Sequence, residues 1–313
     1  MNKKTQEEVK NLEQMSIQFH DSLFRKKIDE NTIVSILSNT SNFDRQIIRL
    51  FYKKKFTNTI QQDIKDKLSG NLCNLVFNLF DLPYEYDARE LHRSLTSFKK
   101  DEKAIIEIII TRPRSHLILV QKIYKKFYDT SLKNDILNLS NKTFAEFIMA
   151  IISSSRPSTQ TIKINEAYNI AKDIIKNGVK QYGKNVNLFK EVFVDKSRED
   201  LILISRAYYN LYKKNLYNAI DNEIFGLNKI LIKNILFGII KPDEYFAKKI
   251  YKAMKGVGND IRTIFRVIIS RAEIDLNEIK DCYFRDRNTD LINDINSECP
   301  GAYGKILVNL FGK

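Results

Sequence analysis

The chain repeats itself four times, and that limits its possible folds more than any other feature. Gly70 opens the run NLCNLVFNLF, and Thr143 precedes FAEFIMAII. Gly226 opens LNKILIKNILFGII, and Gly301 opens AYGKILVNLF. Aligned starts at 70, 142, 226 and 301 are separated by 72, 84 and 75 residues. A period of this size indicates a supersecondary unit stacked on its neighbours. Inside each unit the apolar residues recur at three- and four-residue spacing, as in Leu117, Val120, Ile123, Tyr124 and Phe127. That is the signature of amphipathic helices. No stretch alternates with a period of two. Only ten glycines and five prolines interrupt the chain, too few for a turn-rich β fold. The expected fold is all-α, built from short helices. The Ser/Thr/Pro stretch from Ser153 to Thr161 is the one linker and is expected to divide two halves of two repeats each.

Charge then narrows the partner. With 52 basic and 38 acidic residues the formal charge is +14, which calls for an anionic surface. Nucleic acid and anionic membrane satisfy that equally. The N-terminus MNKKTQEEVKNLEQ has no apolar signal core, and Glu107 and Glu146 break the longest apolar runs. Cys73, Cys282 and Cys299 have no metal-ligand spacing and read as free thiols. The expectation from these features is a soluble, cytoplasmic protein. Catalytic signals are missing: His20, His92 and His116 are unclustered, and there is no P-loop, nucleophile elbow or H-E-x-x-H. The chain is expected not to be an enzyme.

The densest chemistry lies near the C-terminus, in Met254-Lys255-Gly256-Val257-Gly258-Asn259-Asp260, with Glu298 downstream. Two glycines between helices can turn backbone carbonyls outward, and a carboxylate from another loop can close the ring. Hard oxygens in a flexible loop suit Ca²⁺ and not Zn²⁺. The whole segment from Met254 to Phe311 resembles the fourth repeat of the annexins. Tyr86-Asp87-Ala88-Arg89-Glu90-Leu91 and Glu107-Ile108-Ile109 are similar to the second. The resemblance runs from about Met15 to Lys313. It implies four repeats of five helices, A to E, forming a curved disc whose A–B and D–E loops face a membrane. The expected boundaries are a short N-terminal segment 1–15, repeats at 16–82 and 83–152, a linker at 153–163, and repeats at 164–241 and 242–313.

The same resemblance implies where calcium would bind. In the annexin pattern the A–B loop gives three carbonyls, and a bidentate acid follows the second glycine by forty positions. Glu298 stands forty after Gly258, so Met254, Gly256, Gly258 and Glu298 are the expected ligands in repeat four. Glu223 stands forty after Gly183, which gives Gly178, Gln181, Gly183 and Glu223 in repeat three. Lys180, Lys184 and Asn185 surround that third loop. Repeats one and two have lost both halves of the site: Lys27 is followed by Lys67, and Lys99 by Leu139. A lone Gly-x-Gly reads as an ordinary helix end. Two of them with matched acids read as calcium loops.

Tyr182 and Val257 are the expected loop tips at the headgroup level. Arg25, Lys26, Lys27, Lys67, Lys99 and Lys100 are expected to meet anionic lipid without calcium. Asp87, Glu107, Arg112, Arg266, Arg271 and Asp275 match charged positions of the family's central channel, read here as buried packing contacts; Thr40 stands where repeats two and four carry Arg112 and Arg271. The preferred function is calcium-dependent binding to anionic phospholipid by a protein that is monomeric in solution, with self-association on membranes left open. The other reading is a basic scaffold for a cytoskeletal polymer or other protein, with nucleic acid ranked below both.

Overall fold

The computed structural model describes residues 4–178, 186–223, 226–255 and 258–312, and among them there are helices but no strands. Among the described residues twenty α-helices fall five to a repeat. The first repeat holds α1 (Gln6–Phe24), α2 (Glu30–Asn39), α3 (Asn42–Lys55), α4 (Ile60–Lys67) and α5 (Gly70–Leu79). The second holds α6 (Pro83–Thr96), α7 (Glu102–Thr111), α8 (Arg114–Tyr128), α9 (Leu132–Leu137) and α10 (Lys142–Ser153). In the third, α11 (Ile164–Asp173) and α12 (Val186–Lys190) carry π-helical turns at Ile174–Gly178 and Glu191–Asp195. It continues through α13 (Arg198–Tyr212), α14 (Leu216–Glu223) and α15 (Gly226–Ile240). The fourth holds α16 (Pro242–Lys255), α17 (Ile261–Arg271), α18 (Leu276–Arg287), α19 (Leu291–Glu298) and α20 (Ala302–Asn309).

Local signals set these boundaries. Pro83 and Pro242 open helices where the missing N–H is not needed. Ser41 with Asp44, Thr59 with Gln62, and Ser197 with Asp200 form capping boxes. Gly70, Gly226 and Gly301 begin the last helix of their repeats at φ of +60, +70 and +81°, a region costly for a side chain. Lys142 takes that place in repeat two, and there Asn141 caps the helix by accepting from Phe144 N at 3.0 Å. A second periodic device is a tyrosine hydroxyl donating to an aspartate eleven positions on. It appears as Tyr52–Asp63 at 2.5 Å, Tyr124–Asp135 at 2.6 Å and Tyr283–Asp294 at 2.5 Å. Each bond ties the third helix of a repeat to its fourth. In repeat three Ala219 stands at the acceptor position.

The chain forms two compact units, residues 1–86 with 246–313, and residues 87–245. The first repeat therefore shares a core with the fourth, and the second with the third. In one unit α2 packs on α20, and in the other α7 packs on α15. This differs from the expected division at the Ser/Thr/Pro linker, which lies within the second unit. The reason is that the linker is tied down. Arg156 donates to the carbonyls of Lys196 and Phe193. Thr161 N and Ile162 N donate to Asp200 Oδ1 at 2.9 and 3.1 Å, and Thr161 Oγ1 donates to Oδ2 at 2.7 Å.

Burial alone would raise the Asp200 pKa, but the Thr161, Ile162 and Ser197 donors outweigh it and hold the group at about 2. A carboxylate depressed in the fold contributes stability above its unfolded pKa and loses it as pH falls through the folded one. Asp200→Asn is expected to lower unfolding free energy at pH 7 by about 2 kcal/mol. In urea titrations the difference from wild type should shrink between pH 4 and pH 2. A difference unchanged across that window would contradict this assignment.

Buried charged side chains also find partners inside each unit. Asp87 receives Arg112 Nε at 2.7 Å and Nη2 at 3.0 Å, with His116 Nε2 at 2.8 Å. Burial opposes the Asp87 charge, and the Arg112 guanidinium overcomes it, so its pKa is lowered. Arg271 pairs with both oxygens of Asp275 at 2.6 and 2.5 Å. Arg266 is buried and donates to Thr263 Oγ1 at 3.0 Å, and Glu107 is buried. In repeat one, Thr40 donates to Ile36 O at 2.8 Å, and Arg45 supplies the guanidinium, donating to Thr40 O at 2.5 Å and Leu79 O at 2.8 Å. Burial pushes the Arg45 pKa down to about 10.

Candidate calcium and membrane loops

Three A–B loops share one scaffold. The N–H of the closing aspartate donates back seven residues: Asp29 to Ser22 O at 3.0 Å, Asp101 to Ser94 O at 3.1 Å, and Asp260 to Ala253 O at 2.8 Å. Each aspartate then caps the next helix, accepting from Thr32 N, Ala104 N or Thr263 N at 3.1 Å. The loops of repeats one, two and four thus keep their frame, and differ in what they carry on it.

Repeat four carries oxygen. Gly258 has φ of +75°, the left-handed conformation that only glycine enters cheaply. Asn259 Nδ2 donates to the Glu298 carbonyl and to Glu298 Oε2, both at 3.1 Å, so the A–B and D–E loops are joined. The Glu298 side chain is 28% exposed, and Lys255 Nζ lies 3.9 Å from its Oε1 and 3.6 Å from Asp294 Oδ1. A carboxylate held at the edge of a glycine loop, already attracting a cation, fits a hard divalent ion. No group of three or more His, Cys, Asp or Glu that could hold a metal occurs among the described residues. Any metal site here would have to draw its other ligands from backbone carbonyls; Met254, at the start of the loop, is buried. The expectations for Gly256 and Val257 lie outside the described residues.

Repeat one carries cations. Lys27, at the position of Gly258, stays outside the left-handed region, so its carbonyl is not turned as a glycine's would be. Arg25 Nη1 pairs with Asp29 Oδ2 at 2.7 Å, while Lys26 and Lys27 are exposed. Lys67, at the acid position, sets its ammonium 4.4 Å from the centroid of the Phe24 ring. Phe24 and Lys67 are forty-three positions apart, as are Lys255 and Glu298. The two loops therefore still touch at the same register, with a cation–π contact where repeat four has an ion pair.

Repeat two is closed on itself. Lys99 also stays outside the left-handed region, and its carbonyl accepts from Ser97 Oγ at 2.7 Å. Leu139, at the acid position, is buried. Lys142 Nζ donates to the Leu137 carbonyl at 2.8 Å. Between Ser97 and Lys99 the Phe98 side chain is 106% exposed, as open as in an extended peptide. Nothing in the sequence singles out Phe98, although it occupies the same tip position as Val257, and the partners of Asn259, Lys255, Ser97 and Phe24 emerge only in the fold.

In repeat three, Gly178 ends a π-helical turn and Glu223 ends α14. Gln181, Tyr182, Gly183 and the Glu223 side chain lie outside what is described.

A family model described as Annexin matches residues 16–79, 86–151, 169–233 and 245–310. Annexin A13 of Mus musculus is 30% identical over 282 residues, covering 90% of this chain and 89% of that protein. Annexin A1 of Rattus norvegicus is 29% identical, covering 94% and 85%. Among solved structures, annexin III aligns with a TM-score of 0.91 at 26% identity, over 96% of this chain and 94% of that one. Calcium-bound annexin (Sm)1 aligns with a TM-score of 0.84 at 22% identity, over 99% and 92%.

Proposed function

The chain belongs to the annexin family, whose members generally bind phospholipid membranes in a calcium-dependent way, and from that premise we propose that repeats three and four carry this activity here. In repeat four Met254, Gly256 and Gly258 would offer carbonyls and Glu298 both carboxylate oxygens. In repeat three Gly178, Gln181, Gly183 and Glu223 would do the same. Calcium takes six to eight oxygens, so four such ligands leave positions for a lipid phosphate. Repeats one and two bind no calcium and instead offer Arg25, Lys26, Lys27, Lys67, Lys99 and Lys100 to an anionic leaflet. Asn259 bridging to Glu298 carries this reading, because it brings the acid to the glycine loop. Among the described residues no helix is long and apolar enough to cross a membrane.

Sedimentation with phosphatidylserine vesicles tests it. Binding should rise on adding Ca²⁺ and reverse with chelator. A basic scaffold for a polymer or nucleic acid would show steep salt dependence and no calcium requirement. That outcome would replace the present reading.

A further inference from the structure

The A–B loop of repeat two spends no oxygen on calcium, yet it holds a phenyl ring entirely in water. Among the described residues Phe98 is the most exposed large hydrophobic side chain. Leaving such a ring in water forgoes a substantial transfer free energy, so its exposure calls for a partner. The loop is not slack at this point. Ser97 Oγ donates to Lys99 O at 2.7 Å across the tip, and Asp101 N donates to Ser94 O at 3.1 Å across the base. The Asp101 carboxylate is engaged in capping, accepting from Ala104 N at 3.1 Å. Lys99, exposed, and Lys100, half-buried, follow Phe98 directly in the chain. In the same repeat Leu137, which ends α9 before the D–E turn, is also exposed.

We infer that Phe98 is a calcium-independent membrane anchor that enters the headgroup–acyl boundary of an anionic bilayer while Lys99 and Lys100 bind lipid phosphates. The inference rests on the membrane-binding reading above and assigns to repeat two a role that needs no ion. Charge selects the occupant. A water-exposed ring followed in the chain by two lysines matches a surface that is anionic outside and apolar beneath, where single weak signals combine into useful affinity. The Ser97 bond stands where a calcium loop would present its last carbonyl. It replaces ion coordination as the means of shaping the loop.

The chain contains no tryptophan and fifteen tyrosines, so Phe98→Trp yields a single-tryptophan protein whose indole can be excited selectively at the red edge of its absorption. The measurement is its fluorescence with phosphatidylserine/phosphatidylcholine vesicles in EDTA at low ionic strength. A blue shift, with quenching by lipids brominated in the acyl chain, is expected. Phe98→Ser should weaken vesicle binding in EDTA about tenfold, the effect of burying part of one aromatic side chain. Both substitutions sit on a fully exposed side chain, so folding should be untouched. Emission that stays solvent-like while Ca²⁺ holds the protein on vesicles would overturn the anchor and leave the calcium reading standing. A blue shift that grows with protein concentration without vesicles would mean a second copy covers Phe98, and would overturn it too. Failure of calcium-dependent sedimentation, by contrast, would strike the proposed function itself.

Discussion

Replacing Glu298 with Gln is expected to weaken calcium-dependent vesicle binding by about 100-fold, the scale on which oxygen sites change affinity as ligand charge is lost. The substitution keeps the size of the side chain, and Asn259 Nδ2 can still donate to the Glu298 carbonyl at 3.1 Å, so the loops stay joined. What disappears is the negative charge and one of two equivalent oxygens. Titration calorimetry on Glu298→Gln should show the loss of one class of site, and Glu223→Gln added to it should remove the other. Two sites of unchanged affinity in the double variant would show that the ligands were misassigned. The reverse substitution, Lys67→Glu, should restore nothing in repeat one. Lys27 is not in the conformation of Gly258, and the new acid would lose its contact with Phe24 without gaining carbonyls.

The contrast between repeats shows what the sequence could reveal. Helices, caps and the repeat were legible because their causes lie within a few residues: Gly70, Gly226 and Gly301 mark helix starts, and Asp29, Asp101 and Asp260 mark loop ends. The spacing of Glu298 was legible because the two loops are separated by a constant number of helical residues. The pairing of repeat one with repeat four was not, since contacts such as α2 on α20 join residues far apart in the chain. Nor was the fate of the linker. Ser, Thr and Pro signal a turn whether or not an Asp200 waits forty residues away to bind it. Phe98 was invisible for a third reason. A phenylalanine is expected in a core, and only the folded chain shows that Leu95, three residues earlier, is buried while Phe98 is left outside.

The structure also reweights the basic loops, and the reweighting can be measured. Arg25 is engaged with Asp29 and Lys67 lies over Phe24, which leaves Lys26, Lys27 and Lys99 exposed and Lys100 half-exposed. A lysine near an anionic leaflet is worth about 1 kcal/mol, so four could supply up to ~4 kcal/mol, close to a 1000-fold effect before ordering costs. Wild-type protein should therefore bind phosphatidylserine vesicles in chelator at low ionic strength, and release them as salt shortens the screening length. Replacing Arg25, Lys26, Lys27, Lys99 and Lys100 with Ser should remove that binding while sparing most of the calcium-dependent part. The triple change in repeat one and the double change in repeat two should be made separately as well. If their losses add, both loops engage one bilayer. If the repeat-two change alone accounts for the loss, attachment in chelator runs through Phe98 and its two lysines. Absence of any binding in chelator at low salt would reduce both loops to solubilising surface, and would leave calcium as the sole means by which this chain reaches a membrane.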